Sequence, residues 1–280
     1  MDGNRPLSFY LLGTFFLLFL LFLYGPTVTI GILSFQGPEG GLTFPMRSWS
    51  LHWFDQLFKE QAIGDIWGAW RRSIGLGLMV MVTTVVVSVM GGLAFRRRFT
   101  GSTTLFYVII ASLVIPSILV SLGVGLIFNQ IGIRAHWATS GFGAQLTWTL
   151  PFGLLIMFAV FNRFDGSYEE AARDQGASTW QVFWHIVLPL IAPALIGVAL
   201  FGFTLSYDEV ARSIMATGSK NTLPLEILGM TTNVTSPVLY ALGTLTTVFS
   251  LCVILLFLII VTVIQRRRAR AGSDAGKGLV

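Results

Sequence analysis

The sequence predicts an all-α, polytopic membrane protein with six transmembrane helices. Three observations carry that prediction. Of 280 residues, 54% are hydrophobic and only 11% charged, where a soluble chain carries about 25% charged residues. Apolar runs long enough to cross about 30 Å of hydrocarbon, which takes roughly 20 residues, recur along the chain. The basic residues behind the net charge of +5 cluster beside those runs, as topology determinants do, and so do not point to nucleic acid.

The first run covers residues 7–35, with a kink expected at Gly25-Pro26. It is too long for a signal-peptide core and no clean small-residue cleavage site follows, so an uncleaved span is expected. Residues 36–72 form the longest polar stretch. Within it Ser50 can cap a helix that puts Phe54, Leu57 and Phe58 on one face, near Trp49 and Trp53. Such a helix suits the membrane interface, and the loop is too short to bury a core of its own. Further spans are expected at 73–95, 104–128 with Pro116 in its middle, 140–161 with Pro151, 188–205 with Pro193, and 238–264. Mid-span prolines are tolerated where neighbouring groups satisfy the freed carbonyls. Residues 1–280 thus read as one transmembrane domain, with a glycine-containing tail at 269–280 expected to be disordered.

Six spans put both termini on one side. On that side lie 11 of the 18 basic residues, including the clusters Arg96-Arg97-Arg98 and Arg266-Arg267-Arg268, with Arg5, Arg163, Arg173, Arg270 and Lys277. The bias places the termini and the 166–187 loop in the cytoplasm, and the interfacial helix on the opposite, periplasmic side. Arg71-Arg72 beside the second span runs against that bias.

Several chemistries are missing. No Gly-x-x-x-x-Gly-Lys-Ser/Thr loop is present, so the chain cannot cradle ATP in that way. His52, His136 and His185 have no metal-ligand spacing. No nucleophile elbow occurs, and Cys252 lies alone in an apolar run. No catalytic residue or bound cofactor is expected. Ionisable groups deep in the spans are nearly absent, which disfavours a proton- or sodium-driven carrier. Span hydroxyls such as Thr84, Ser88 and Thr149 mainly satisfy helix backbones.

The one long polar, helix-forming segment between two apolar runs is Ser167 to Pro193. Ser167 precedes Glu170 at capping-box spacing, acids fill the first turn where the macrodipole favours them, and Gly176 is placed to end the helix. Ser178 or Thr179 can cap a second helix carrying Trp180, Phe183 and Trp184. Glu170-Ala171-Ala172, Gly176 and Ile186-Val187-Leu188-Pro189, at these spacings, resemble the EAA loop of ABC-importer permeases. That resemblance implies a type I permease fold and a cytoplasmic coupling helix that docks into a separate ATPase. Its docking contacts would be Glu169, Glu170, Ala171, Ala172, Asp174, Gly176 and Ala177.

Where the fifth run ends, Ser206-Tyr207-Asp208-Glu209 places two carboxylates beside an aromatic. That combination suits ammonium groups by charge and by cation–π contact; the plain alternative is a solvated loop with Arg212 pairing one acid. Leu205 to Glu209, Thr222-Leu223-Pro224-Leu225 and Ser236-Pro237 resemble the corresponding segment of spermidine/putrescine importer permeases. Arg212 departs from that pattern by adding a positive charge. Others of that subfamily carry opines, aminophosphonates or other small amines.

The resemblance implies a permease subunit in the bacterial inner membrane, multi-pass with cytoplasmic termini, that is not itself an enzyme. Its partners would be a second homologous permease, an ATPase dimer holding ATP and Mg, a periplasmic solute-binding protein and membrane lipid. Trp148, Tyr207, Asp208 and Glu209 would lie along the path of a small amine-bearing solute. The competing reading is an ion-gradient-driven carrier or channel acting alone.

Overall fold

A computed structural model describes residues 6–59, 64–97, 99–233 and 237–275, with side chains described except at 233 and 267–275. Arg5, Arg98, Ser236 and Lys277 of the sequence argument lie outside the described residues. The described residues are overwhelmingly helical, and the chain falls into two compact units, Met1–Gly64 with Gly229–Leu251, and Asp65–Leu228 with Cys252–Val280.

In the first unit α1 (Leu7–Leu33) runs through Pro26 without a break, its apolar side chains exposed along most of its length. The following loop folds back on itself. Gln36 pairs with Trp49 as an isolated bridge and its amide donates to Gly41 O at 2.6 Å. The short α2 (His52–Lys59) starts where the Ser50 hydroxyl accepts from the His52 N–H at 3.0 Å, and it buries Leu57. Ser50 therefore binds the first N–H of the predicted amphipathic helix from one residue ahead of the N-cap position, where Leu51 stands. Tyr240 OH donates to Leu42 O at 2.9 Å, tying the loop to the start of α11 (Val238–Ala275). That helix continues to Ala275, past the point where a disordered tail is expected, because Arg266 to Ala271 are good helix formers. Residues 276–280 lie outside the described residues.

The second unit is built on three long helices. These are α3 (Ile66–Phe95), α6 (Phe142–Asn162, entered through a π-helical turn at Trp137–Gly141) and α9 (Leu188–Tyr207). Lipid tails are as apolar as the side chains, so close backbone approach and interhelical hydrogen bonds hold such helices together. Both occur here. A Cβ added to Gly153 would lie 2.3 Å from Ser88 Oγ and 3.2 Å from Val198 Cγ1, and one on Gly202 would lie 3.1 Å from Met81 Cα. Buried Thr84 donates to Thr149 at 2.9 Å. The helix α3 begins seven residues earlier than the sequence predicts. Asp65 caps it, accepting from Gly68 N at 3.0 Å, and Arg72 joins Asp65 at 2.7 Å and Asn221 O at 2.7 Å. The Arg72 hydrogen bond holds the Asp65 carboxyl below its usual range. Arg72 is thus committed to a local pairing, which accounts for its standing against the charge bias.

Among the described residues, five helical segments are long and apolar enough to span a membrane. The expected third span is the exception. Pro116 divides it into α4 (Ser102–Val114) and α5 (Ser117–Gln130), bent by 105°. Proline removes a helix donor and clashes with the preceding turn. Here Ile115 turns to an extended conformation, whereas Pro151 and Pro193 are absorbed within α6 and α9.

Gly153→Val is expected to lower stability by about 1–3 kcal/mol through overpacking, read as a lower thermal unfolding midpoint in detergent. Gly197→Ala, where an added Cβ meets nothing within 4 Å, is expected to leave the midpoint unchanged or raise it.

Candidate functional site

At one end of the three-helix core, α6 passes through a tight turn into α7 (Ser167–Asp174). The cap differs from the one that the sequence predicts. Asp165 Oδ1 accepts from Ser167 N at 3.0 Å, Gly166 is the N-cap residue, and Ser167 makes no capping bond. That hydrogen bond keeps the Asp165 carboxyl below its ordinary value. The capping box forms instead at Ser178. Its hydroxyl accepts from Gln181 N at 3.4 Å, and Gln181 Oε1 accepts from Ser178 N at 2.8 Å.

Between the two caps α7 ends in a Schellman arrangement, as Gly176 in the sequence foretells. Gly176 has φ +85°, its N–H meets Arg173 O at 2.8 Å, and Ala177 N–H meets Ala172 O at 3.0 Å. This satisfies carbonyls that a helix end otherwise leaves open. After Ser178, α8 (Thr179–Val182) and a π-helical turn at Phe183–Val187 lead directly into α9.

The helical period divides the expected docking residues into two groups. Glu170, Ala171, Asp174 and Gly176 are exposed. Ala172 and Ala177 face inward, against a core of Val89, Met157, Phe161, Val182, Val187, Ile191 and Val198 contributed by α3, α6 and the α8–α9 segment. Glu169 is also turned inward, with its side chain only 12% exposed. It meets Arg96 at 2.5 Å and Arg173 at 3.7 Å. The Arg96 guanidinium in turn lies over the rings of Phe161 at 5.4 Å and Phe164 at 5.1 Å. Glu169 therefore ties α7 to the end of α3. Sequence reasoning took Arg96 only as a topology charge. The separation of 73 residues between the two leaves no local signal for the pair.

The opposite end of α9 carries the acidic segment. Tyr207 is buried and stacked on Phe203 at 5.6 Å, and Asp208 is exposed. Trp148 and Glu209 converge on a third residue, Arg212, which has no exposed surface. Its guanidinium carbon sits 4.5 Å from the centre of the Trp148 ring. Arg212 Nη1 donates to Ser117 Oγ at 2.6 Å, Nε to Thr147 Oγ1 at 3.3 Å, and Nη1 lies 4.0 Å from Glu209 Oε1. The Glu209 carboxylate also accepts from the Arg212 backbone N–H at 3.0 Å. The acid pairing of the plain reading is present, but the solvated loop is not: Arg212, Ser213, Ala216 and Thr217 are buried. Neighbouring bonds hold the loop: Gln145 Nε2 donates to Ser213 Oγ at 3.0 Å, and Met215 N to Ser121 Oγ at 2.9 Å.

Residues 84–270 match the model of the family described as "Binding-protein-dependent transport system inner membrane component". The chain belongs to that family. Among its relatives, the spermidine/putrescine transport system permease protein PotC of Haemophilus influenzae is 28% identical over 251 residues, covering 89% of this chain and 95% of the relative. The putrescine transport system permease protein PotI of Escherichia coli is 29% identical over 236 residues, covering 80% and 81%. A bacterial ABC transporter that imports the acidic polysaccharide alginate has the same fold, with TM-score 0.67 at 17% identity over 92% of this chain and 98% of that one. The protein is a multi-pass inner-membrane component of a binding-protein-dependent transport system.

Glu169→Gln removes the carboxylate charge that strengthens the bond from Arg96, at a cost of about 1.4 kcal/mol. It is expected to speed amide hydrogen exchange across residues 167–174 about tenfold. Exchanging the charges, Arg96→Glu with Glu169→Arg, is expected to restore much of the protection; equal exchange in Glu169→Gln and the parent protein would contradict the tether.

Proposed function

We propose that this chain forms one half of the membrane pathway of an ATP-driven importer for a small amine-bearing solute. A second, homologous permease would complete the pathway, a periplasmic binding protein would deliver the solute, and a separate ATPase dimer would hold ATP and Mg. The observation that carries this reading is the α7–α8 element. Its outer surface presents Glu170, Ala171, Asp174 and Gly176, while its inner surface is seated on the core shared by α3, α6 and α9. A docking element must combine these properties, with a free face for the motor and a fixed face for the spans. The basic clusters at residues 96–98 and 266–268 favour a cytoplasmic position for this element and for both termini.

The proposed cycle is a linkage between two sites. Nucleotide-bound ATPase favours one position of α7, and the solute pathway favours one arrangement of the spans. Each ligand shifts the population only by its difference in affinity for the two states. The amine class is supported by the polyamine systems named for the two relatives and by carboxylates at the loop end of α9. An ion-driven carrier has less support, because it would leave the exposed α7 face without a role.

The test is uptake of putrescine and spermidine by vesicles containing the permease pair, its ATPase and binding protein. Vanadate-sensitive uptake with ATPase co-purification is the expected outcome. Gly176→Asp, at φ +85° on the exposed surface, is expected to reduce uptake at least tenfold with membrane insertion intact. Normal uptake by that variant would contradict docking at this element, and ion-gradient-driven uptake by the lone chain would overturn the importer reading.

A further inference from the structure

Arg212 brings a full charge into an apolar bundle. A buried charge must recover its lost hydration from partners, and an apolar residue of similar volume often serves stability as well or better. The partners here are an aromatic face, a carboxylate and hydroxyls: Trp148 at 4.5 Å, Glu209 at 4.0 Å, Ser117 at 2.6 Å and Thr147 at 3.3 Å. Proteins hold organic cations with this same chemistry, a π-face for the charge and oxygens for the N–H groups. The fit to guanidinium is incomplete, since Arg212 Nη2 has no hydrogen-bond partner among the described residues.

We propose that Trp148, Glu209, Ser117 and Thr147 form a cation subsite of the solute pathway, and that Arg212 is a tethered cation which occupies and closes it in the state seen here. This rests on the amine reading of the solute. An arriving ammonium group replaces one cation by another, so the subsite keeps its charge balance while Arg212 leaves. The exchange offers a low-cost route from closed to open, because neither state strands the Glu209 carboxylate beside an empty aromatic face. A second role follows for Arg212 as a specificity element: a neutral solute has no charge with which to replace it.

The alternative is that Arg212 only staples the 208–217 loop to α5 and α6. Charge-selective labelling separates the two. In a Cys252→Ser background, Thr147→Cys reports on the subsite in open membrane fragments containing the assembled importer. The probes are a trimethylammonium methanethiosulfonate and its sulfonate analogue, one cationic and one anionic. With Arg212 in place, the cationic reagent is expected to react no faster than the anionic one. Arg212→Gln is expected to raise the cationic rate at least tenfold over the anionic rate, and adding Glu209→Gln to remove that preference. Arg212→Lys, which keeps a tethered cation, is expected to stay closed. An equal rise for both reagents, no rise for either, or opening by Lys equal to that by Gln would overturn the proposal. Should Arg212→Gln fail to accumulate, Arg212→Met is read in the same way, and loss of both from the membrane assigns Arg212 to structure alone. Labelling requires neither ATP nor solute. Failure of amine uptake by the parent importer would therefore overturn the functional reading, whereas absent charge selectivity would overturn this one.

Discussion

The seating of α7 on the three-helix core is the constraint on which the functional end of the molecule depends. An isolated helix of eight residues is not stable in water, because nucleation costs more than so few hydrogen bonds return. The element must therefore be held from outside. Ala172 and Ala177 allow close approach to the core, and the Glu169–Arg96 pair fixes α7 against the end of α3. Close-packed interiors deform little and pass displacement from one element to the next. A push on the exposed face of α7, which the proposed docking would supply, would reach α3, α6 and α9 together through this packing.

The core beneath α7 is assembled by close approach and not by exclusion of water. Gly153 and Gly202 let backbones come within contact distance, and the Thr84–Thr149 hydrogen bond crosses between α3 and α6. Apolar length alone made the spans legible in the sequence, but it carried no information on which faces meet. The three mid-span prolines show the limit most clearly. Pro116, Pro151 and Pro193 look alike in sequence, yet only Pro116 breaks its helix. These three also differ in tertiary support. No residue of α4 is buried and only Ser121 is buried in α5, whereas α6 and α9 are held against α3 along their length. Packing is not the whole account, since α1 also runs through Pro26 unbroken with its side chains exposed.

The site was legible to a similar depth. Gly176 declared its positive φ, and the exposed acids of α7 followed from composition. The cap did not, because Ser167-x-x-Glu170 and Ser178-x-x-Gln181 satisfy the same pattern. Asp165 occupies the Ser167 backbone N–H and shifts the start of α7, so only the second pattern closes. Glu169 and Glu170 are adjacent acids with opposite fates, one turned to Arg96 and one to the surface. The helical period distinguishes them only once the inward direction is known, and Ala172, three residues after Glu169, marks that direction.

Arg212 shows what composition hides most completely. Beside Val210, Ala211, Ile214 and Met215, it read as a loop charge that would reach solvent. The break at Pro116 changes its surroundings by placing the first turn of α5 next to the guanidinium, with Ser117 Oγ 2.6 Å from Nη1. The N-terminal end of a helix carries partial positive charge and disfavours a cation. The Arg212 guanidinium therefore faces an opposing dipole as well as lost hydration. Glu209 stands at 4.0 Å rather than in a close bidentate pair. A residue selected only to brace the loop would have no reason to bear both costs, since a long apolar side chain could fill the same space. The proposed role as a tethered cation accounts for both costs, with the Trp148 face holding the charge at 4.5 Å.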